Sequence, residues 1–322
     1  MTNPSTRPAP EGPTRLPASA WKAAAKRAVK EFSDDSVSDW AAALTYYGIL
    51  SIFPGLLVLV SILGLLGTDT VAALQENLRT TFPGSVATFL NDAISQVAGN
   101  ASLASVGAAV GVVVAFWSAS GYVSAFMRAS NAIFDVPEGR PMWKTLRVRI
   151  AVTAVVGLIL IACCLIVVFS GRFASSVGDA LGVGSAAVTA WNIAKWPVLV
   201  VLVALMLSIL YWAAPNARHG RFRWLTPGGL LAVALWVVMS VLFAVYLANF
   251  ASYNKTYGAV ASIIVFLVWL MLSNMAILLG AEFDAELERG RAIAAGLPED
   301  KEPYLELRDD SKLKNGRTLR SG

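Results

Sequence analysis

Residues Asp39 to Leu66 read DWAAALTYYGILSIFPGLLVLVSILGLL, and this stretch decides the fold. No charged residue follows Asp39 until Asp69. About 20 apolar residues, each adding about 1.5 Å along a helix, are enough to cross the hydrocarbon core of a bilayer. The stretch therefore predicts a transmembrane helix.

This first span is not uniformly apolar. One of its faces carries small and polar residues at i, i+4 spacing: Ala43, Tyr47, Ser51 and Gly55. Pro54 lies in mid-span, removes a backbone donor and predicts a kink. A small, polar and kinked face favours packing against other helices rather than against lipid.

The composition points to a membrane protein and limits its chemistry. The 322 residues are 56% hydrophobic and 15% charged, whereas soluble domains carry about 25% charged residues. Cys163 and Cys164 are neighbours in an apolar run, and neighbours on a helix do not face each other, so we expect packing residues rather than a disulfide or a metal site. His219 is the only histidine. We therefore expect no catalytic residues, no metal site and no cofactor.

Five further apolar runs have the length of a membrane span. With the first, they predict an all-α polytopic membrane protein with six transmembrane helices in a domain of residues 39–290. The predicted spans are about 40–66, 103–127, 150–170, 196–214, 227–249 and 258–281.

The segments outside the spans divide into tails and amphipathic helices. Residues 1–18 are rich in proline and residues 296–322 are charged, which predicts a disordered tail at each end. Residues 19–33 predict an amphipathic interfacial helix on the membrane surface, with packing on protein as the alternative. Residues 68–102 show two amphipathic patterns with Pro83-Gly84 between them, and predict two short helices on the outer membrane face.

Lysine and arginine are unevenly distributed between the connections. The segments before span one and after spans two, four and six carry six, five, three and eight of them, whereas the other three carry one, two and one. Basic residues concentrate in cytoplasmic loops. The distribution therefore predicts a plasma-membrane protein with both termini in the cytoplasm.

None of the six predicted spans contains Asp, Glu, Lys, Arg or His. Ionisable residues inside a membrane commonly mark proton or ion paths, so we place proton coupling below other modes of transport. Arg128 and Glu282 lie at the cytoplasmic ends of spans. They predict either an ion pair between two helices or two solvated charges at headgroup level.

Polar side chains inside or beside the spans include Ser118 and Ser120. The candidate substrate path consists of Tyr47, Ser51, Pro54, Asn249, Tyr253, Tyr257 and Asn274. The alternative is that such side chains form interhelical hydrogen bonds of ~0.6–2 kcal/mol, or an aromatic belt in the case of the two outer tyrosines.

Motifs of enzymes are absent from the sequence. It contains no phosphate-binding loop, no HExxH, no GxSxG and no paired-cysteine metal spacing. The basic loops are short and lack the aromatic residues that stack on single-stranded nucleic acid. We expect neither an enzyme nor a nucleic-acid partner.

Five short motifs, taken in order, resemble a bacterial family. They are Tyr47-Gly-Ile-Leu-Ser51-Ile-Phe53-Pro54, Ala214-Pro215-Asn216, Pro227-Gly228-Gly229, Tyr253-x-x-x-Tyr257-Gly258 and Gly280-Ala281-Glu282. Their order and spacing are similar to those of the YihY/BrkB family of bacterial inner-membrane proteins, over about Ala20 to Arg289. The resemblance implies six spans with cytoplasmic termini and no agreed catalytic residues. Members carry the labels virulence factor and ribonuclease BN, and some are linked to envelope lipids.

The polar first span, the amphipathic outer helices and the resemblance favour one function. It is transporter- or flippase-like handling of a lipid-like or amphipathic envelope molecule, with membrane lipids as partners. A membrane scaffold for envelope assembly is the alternative. A ribonuclease is the least favoured function, because one histidine and no carboxylate cluster leave no apparatus for phosphodiester cleavage. The substrate, the oligomeric state and an inverted repeat of the two three-helix halves stay open.

Overall fold

The structure, a computed structural model, describes residues 12, 15–65, 68–81, 84–98, 106–168, 185–219, 222–249, 253–299 and 301–313. This part of the chain is helical, with one isolated β-bridge between Ala217 and Leu307. The helices are α1 (Ala18–Asp34), α2 (Val37–Leu65), α3 (Thr68–Thr81), α4 (Gly84–Ala98), α5 (Val106–Ile133), α6 (Met142–Val168), α7 (Ser185–Ala213), α8 (Pro227–Asn249) and α9 (Tyr253–Ala294).

Six of these helices, α2 and α5 to α9, correspond to the six predicted spans. Within the described residues, α5 to α9 contain five segments long and apolar enough to cross a membrane. Part of α2 has side chains outside the described set, so its span stays a prediction. The predicted bounds hold for α8, whereas α6 begins eight residues earlier than expected and α7 begins eleven earlier.

The long helices run alternately up and down, so the start of α2 and the end of α9 lie at one end of the bundle. A continuous core at this end joins residues from the start of α2, the end of α5, the end of α7 and the start of α8: Val37, Phe134, Tyr211 and Ala232. We call it the basal end. The charge count predicts that it faces the cytoplasm.

Helices α3 and α4 build a second core away from the basal end. They contribute Leu74, Leu78 and Ile94, which pack with Val168 at the end of α6. Phe89 of α4 also stacks on a buried α9 ring, with 4.5 Å between the ring centroids. The two short helices are present as expected, and their place at the outer membrane face stays a prediction.

Helix α1 packs on protein with one face. Ala24 and Ala28 are buried, and Ala24 shares a small core with Leu287 near the end of α9. Helix α9 reaches this position because its 42 residues extend over about 63 Å, about twice the thickness of the hydrocarbon core. The alternative of packing on protein therefore holds for this face. Contact of the other face with lipid stays a prediction.

The expectation of a disordered C-terminal tail is wrong for residues 301–313, which we call the C-terminal strap. Tyr304 is buried in the main core, and the strap pairs with the segment after α7 through the β-bridge at Ala217. Composition did not reveal this order, because two apolar side chains and a few backbone hydrogen bonds suffice to anchor a charged segment. The tail beyond residue 313 and most of residues 1–18 lie outside the described residues.

Candidate functional site

A buried polar contact joins three helices at Asn274. Its Oδ1 accepts a hydrogen bond from the Tyr122 hydroxyl at 2.8 Å, and its Nδ2 donates to Thr45 Oγ1 at 3.1 Å. Asn274 is 1% exposed. Its amide therefore ties α9 to α5 and α2, which agrees with the interhelical interpretation of this residue.

The polar face of α2 is also engaged in packing. The ring of Tyr47 lies beside Gly121. A Cβ added to Gly121 would be 3.2 Å from Tyr47 Cδ1, so α2 and α5 approach closely at this glycine. The Ser51 hydroxyl donates to the Tyr47 carbonyl at 2.7 Å. Pro54 lies within the continuous helix and is half-buried.

The remaining members of the predicted path cannot be placed at side-chain level. Asn249 ends α8, and Tyr253 begins α9. The side chains of these two residues and of Tyr257 lie outside the described residues. Their contribution to a substrate path stays a prediction.

The predicted ion pair between Arg128 and Glu282 is absent from this structure. Arg128 is exposed and donates from Nη1 to Ser124 Oγ at 3.1 Å. Glu282 is 1% exposed, and its Oε2 has no hydrogen-bond partner among the described residues. The two charges are thus separate, and Glu282 is neither paired with Arg128 nor solvated.

Arg149 is a charge at the edge of a predicted span, and it leaves the expectation that the spans themselves hold no charge unchanged. It lies inside α6, one residue before the predicted start of the third span. Its Nη2 donates to Ser120 Oγ at 2.6 Å, and its guanidinium carbon lies 5.4 Å from the ring centroid of Trp117. The Arg149 Nε is buried and has no partner among the described residues. We missed it because a charge at the edge of an apolar run was counted as loop.

Arg128 and Arg149 form a single feature, the arginine–serine row, with Ser124 and Ser120 on α5. The two serines are one helical turn apart, which places them about 6 Å apart along the axis. Ser120 lies about 10 Å inside the predicted span end at residue 127. The row therefore leads from the basal end into the predicted membrane region.

The surface beside the row is apolar and exposed. Trp117 is 70% exposed, and Leu146 and Ile150 are also exposed. A guanidinium over a tryptophan face at this distance is favourable by about 0.5–2 kcal/mol. Trp117 thus holds the Arg149 charge against the outer surface of the bundle.

Asp35, Asp135 and Glu302 line an acidic cleft of about 530 Å³ at the basal end. Burial, and then repulsion from Asp135, raises the pKa of Asp35 to about 7. Burial, and then repulsion from Glu302, raises the pKa of Asp135 to about 6, against the attraction of Arg289. The two aspartates therefore ionise near neutral pH.

Asn216 is a hub that we did not identify as such, although Ala214-Pro215-Asn216 was among the family motifs. It is fully buried. Its Nδ2 donates to the carbonyls of Pro137 and Asp309 at 3.1 and 2.8 Å, and its Oδ1 accepts from the Asp309 N–H at 3.2 Å. Its own N–H donates to Asn131 Oδ1 at 2.7 Å. One side chain thereby joins the α5–α6 connection to the strap.

The motifs Pro227-Gly228-Gly229 and Gly280-Ala281-Glu282 mark a close crossing of α8 and α9. A Cβ on Gly228 would lie 2.0 Å from the Gly280 carbonyl oxygen, and a Cβ on Gly280 would lie 2.4 Å from the Gly228 carbonyl oxygen. At the same crossing, the Gly228 N–H donates to Asp284 Oδ1 at 2.7 Å. These motifs therefore build the basal end of the bundle.

A metal centre finds no support in the described part of the chain, where no three His, Cys, Asp or Glu side chains come together to hold an ion.

Comparison with known proteins identifies the chain's relatives. The family model described as Virulence factor BrkB matches residues 28–303. The ribonuclease-like protein YfkH of Bacillus subtilis is 29% identical over 266 residues, which cover 82% of this chain and 93% of that protein. No solved structure matches the chain.

Two further relatives are described as UPF0761 membrane proteins. The one from Pseudoalteromonas translucida is 29% identical over 257 residues, which cover 78% of this chain and 81% of the relative. The one from Alkalilimnicola ehrlichii is 28% identical over 276 residues, which cover 80% of this chain and 56% of the relative. The chain thus matches little more than half the length of that last protein.

Proposed function

Because this chain belongs to the family described as virulence factor BrkB, a family of membrane proteins, we propose that it moves a lipid-like, amphipathic envelope molecule across the plasma membrane. The arginine–serine row carries this proposal. A lipid crosses slowly by itself because its polar headgroup loses hydration in the hydrocarbon core. A protein that moves lipids must therefore offer polar groups along a surface that lipid tails can still reach.

The row meets both requirements. Arg128 on α5 and Arg149 on α6 supply two cations, which donate to two serines one helical turn apart on α5. Trp117 and Ile150 supply the exposed apolar surface beside them. A headgroup can thus exchange hydrogen bonds from one guanidinium to the next while its chains stay in lipid.

An inner path through the basal end is less favoured by the packing. Asn274 and Tyr122 bond to each other, and Tyr47 packs against Gly121. A headgroup passing between these helices would have to break contacts that hold α2, α5 and α9 together. We therefore propose that the route follows the outer face of α5.

The test is a flipping assay on purified protein reconstituted into vesicles that contain fluorescent phospholipids. An Arg149→Gln variant should flip lipid at least about tenfold more slowly, because a hydrogen bond to a charged group contributes about 1.5–3 kcal/mol. Arg147→Gln is the matched control, since Arg147 lies on the same helix and stacks on Trp143 at 4.7 Å instead. The Arg149→Lys variant keeps the positive charge. Comparing it with Arg149→Gln separates loss of the charge from a defect in folding.

Equal rates for Arg149→Gln and wild-type protein would refute the row as the route. An absence of flipping in wild-type vesicles, with every lipid class supplied, would remove the transport proposal itself. A scaffold would tolerate Arg149→Gln in cells. Deletion of both termini would separate the two functions less cleanly, because Ala24 and Tyr304 are buried in the fold.

On this proposal the chain acts without cutting a covalent bond. We expect purified protein, freed of contaminating nucleases, to leave RNA intact over hours. Cleavage that persists through purification and follows the protein peak would contradict this expectation.

A further inference from the structure

We propose that a recess at the basal end, separate from the arginine–serine row, binds the anionic, phosphate-bearing headgroup of a membrane lipid. The basal recess encloses about 760 Å³ and is lined by Arg15, Arg223, Trp21, Phe283, Leu225 and Leu230. This site does not depend on transport, since a lipid can bind here whether or not the chain moves it.

The polar wall of the recess is basic. Arg15 comes from the segment before α1, and Arg223 comes from the connection between α7 and α8. None of the described residues that line the recess is acidic. The charge of the wall therefore favours an anion.

Asp284 is an acidic neighbour of Arg223 and has a structural role. Asp284 interacts electrostatically with Arg223, but its Oδ1 accepts the N–H of Gly228 at the start of α8. Gly12 lies close to the Arg223 guanidinium, because a Cβ added to this glycine would fall 2.3 Å from the guanidinium Nη2. Arg223 thus has Gly12 and Asp284 as neighbours.

The opposite wall is apolar. Trp21 and Phe283 form a tilted ring pair with 5.9 Å between centroids. Leu225 and Leu230 are 44% and 47% exposed. A lone phosphate ion would gain nothing from these side chains, whereas the glycerol and upper acyl carbons of a lipid would bury apolar surface against them.

The recess continues onto a surface suited to acyl chains. Beyond Leu230 along α8, one face of the helix carries the exposed side chains of Val237, Val241 and Val245. A lipid with its phosphate between the arginines can therefore lay its chains along α8. The volume of about 760 Å³ also lies within the range of about 300–1,000 Å³ typical of small-molecule sites.

The experiment measures binding to the purified full-length chain in neutral detergent by isothermal titration. The probes are dioctanoyl phosphatidylglycerol, dioctanoyl phosphatidylcholine, glycerol 3-phosphate and inorganic phosphate. We expect the anionic lipid to bind most tightly and the two phosphates without chains to bind at least about tenfold more weakly, because they lose the apolar contacts.

The variants are Arg223→Gln and Arg15→Gln, each expected to raise the Kd for the anionic lipid about tenfold, since each removes a hydrogen bond from a charged donor. Arg218→Gln is the matched control. Arg218 lies in the same connection but pairs with Glu306 on the surface, away from the recess. If a glutamine variant fails to fold, Arg223→Lys and Trp21→Ala test the two walls separately.

Unchanged affinity in both glutamine variants would overturn the proposal. An equal loss of affinity in Arg218→Gln would also overturn it, because this result would indicate attraction by net charge. Equal binding of inorganic phosphate would make this an anion site with no lipid, and equal binding of the phosphatidylcholine would remove the charge argument. A wild-type chain that binds the anionic lipid but flips none leaves this site standing and removes only the proposed transport.

Discussion

Replacing Asn216 by alanine should release the C-terminal strap while leaving the helical bundle folded. The side chain makes three hydrogen bonds, one to Pro137 and two to Asp309. Each such bond contributes about 1 kcal/mol net, and the two bonds to Asp309 attach the strap, so its release becomes easier by about 2 kcal/mol. The bonds made by the backbone of Asn216 itself, including the one from the Arg308 N–H to its carbonyl at 2.7 Å, remain in the variant.

The strap should bear this loss because two of the removed bonds attach it directly to Asn216, whereas its other anchors remain. Tyr304 packs in the core, and Lys144 pairs with Asp309. Helices α2, α5 and α9 are held by contacts in which Asn216 takes no part. A cost of about 2 kcal/mol raises the population of the released strap about thirtyfold.

Hydrogen–deuterium exchange measures this population directly. The amides of Arg308, Asp309 and Lys312 are hydrogen-bonded in the native state and should exchange about thirtyfold faster in Asn216→Ala. The control is Arg218→Ala, whose lost ion pair with Glu306 joins side chains that are 71% and 80% exposed. Such a surface pair contributes about 0–1 kcal/mol, so exchange should rise less than about fivefold.

Two results would refute this reasoning. Unchanged protection of the three strap amides would mean that Asn216 does not hold the strap. Equal deprotection of the strap and of amides in α5 would mean that the strap unfolds only with the bundle, and that its stability is not local.

Three further predictions concern the helices and the acidic cleft. Asn274→Leu removes two interhelical hydrogen bonds and should lower the free energy of unfolding by about 2 kcal/mol, measured by thermal unfolding in detergent; an unchanged Tm would contradict the tie. Asp35→Asn should stabilise the protein by about 1 kcal/mol more at pH 8.5 than at pH 5.5. The pKa of Asp35 in the folded protein, about 7, lies above the ordinary value of 3.8. The stability that the protonated carboxyl group contributes is therefore lost as the pH rises towards 7. Because Asp35 is only half-buried, solvent reduces this effect. If the difference in stability between Asp35→Asn and the wild type did not change with pH, this would argue against a buried cleft. Gly280→Ala should lower the free energy of unfolding by about 3 kcal/mol, because the new Cβ meets the Gly228 carbonyl. Gly157→Ala is the control and should be neutral, because a Cβ there has nothing within 4 Å. Equal yields of folded protein from the two variants would count against the close crossing of α8 and α9.

Hydropathy predicted the helices well where apolar runs have clear ends. Helix α8 begins and ends where the sequence indicated, because Pro227 starts it and the apolar run stops at Asn249. Helices α3 and α4 stop and start on either side of residues 82–83, as the Pro83-Gly84 break indicated. Helix α9 continues to Ala294 through charged residues, and hydropathy cannot distinguish a helix that leaves the membrane from a loop.

The candidate site was harder to predict because it depends on contacts between distant parts of the chain. Asn216 bonds to Asn131 and Asp309, which are 85 and 93 residues away. Glu282 looked like a headgroup charge, but in the folded chain it is 1% exposed. A motif shows that such residues recur together, and only the packing shows which groups they contact.

Arg149 shows how one set of residues can serve both topology and function. Arg128 and Arg149 were counted as charges that keep a connection in the cytoplasm, and both also donate to serines of α5. Arginine does not lose its proton at physiological pH, so Arg149 on the outer face of the bundle adds a binding group without adding a proton carrier. If the predicted topology is right, both the row and the basal recess open towards the cytoplasmic leaflet, and an anionic lipid in that leaflet should meet them first. Vesicles loaded with anionic lipid on one side only would test this, because flipping should then be faster from the basal side than from the opposite side.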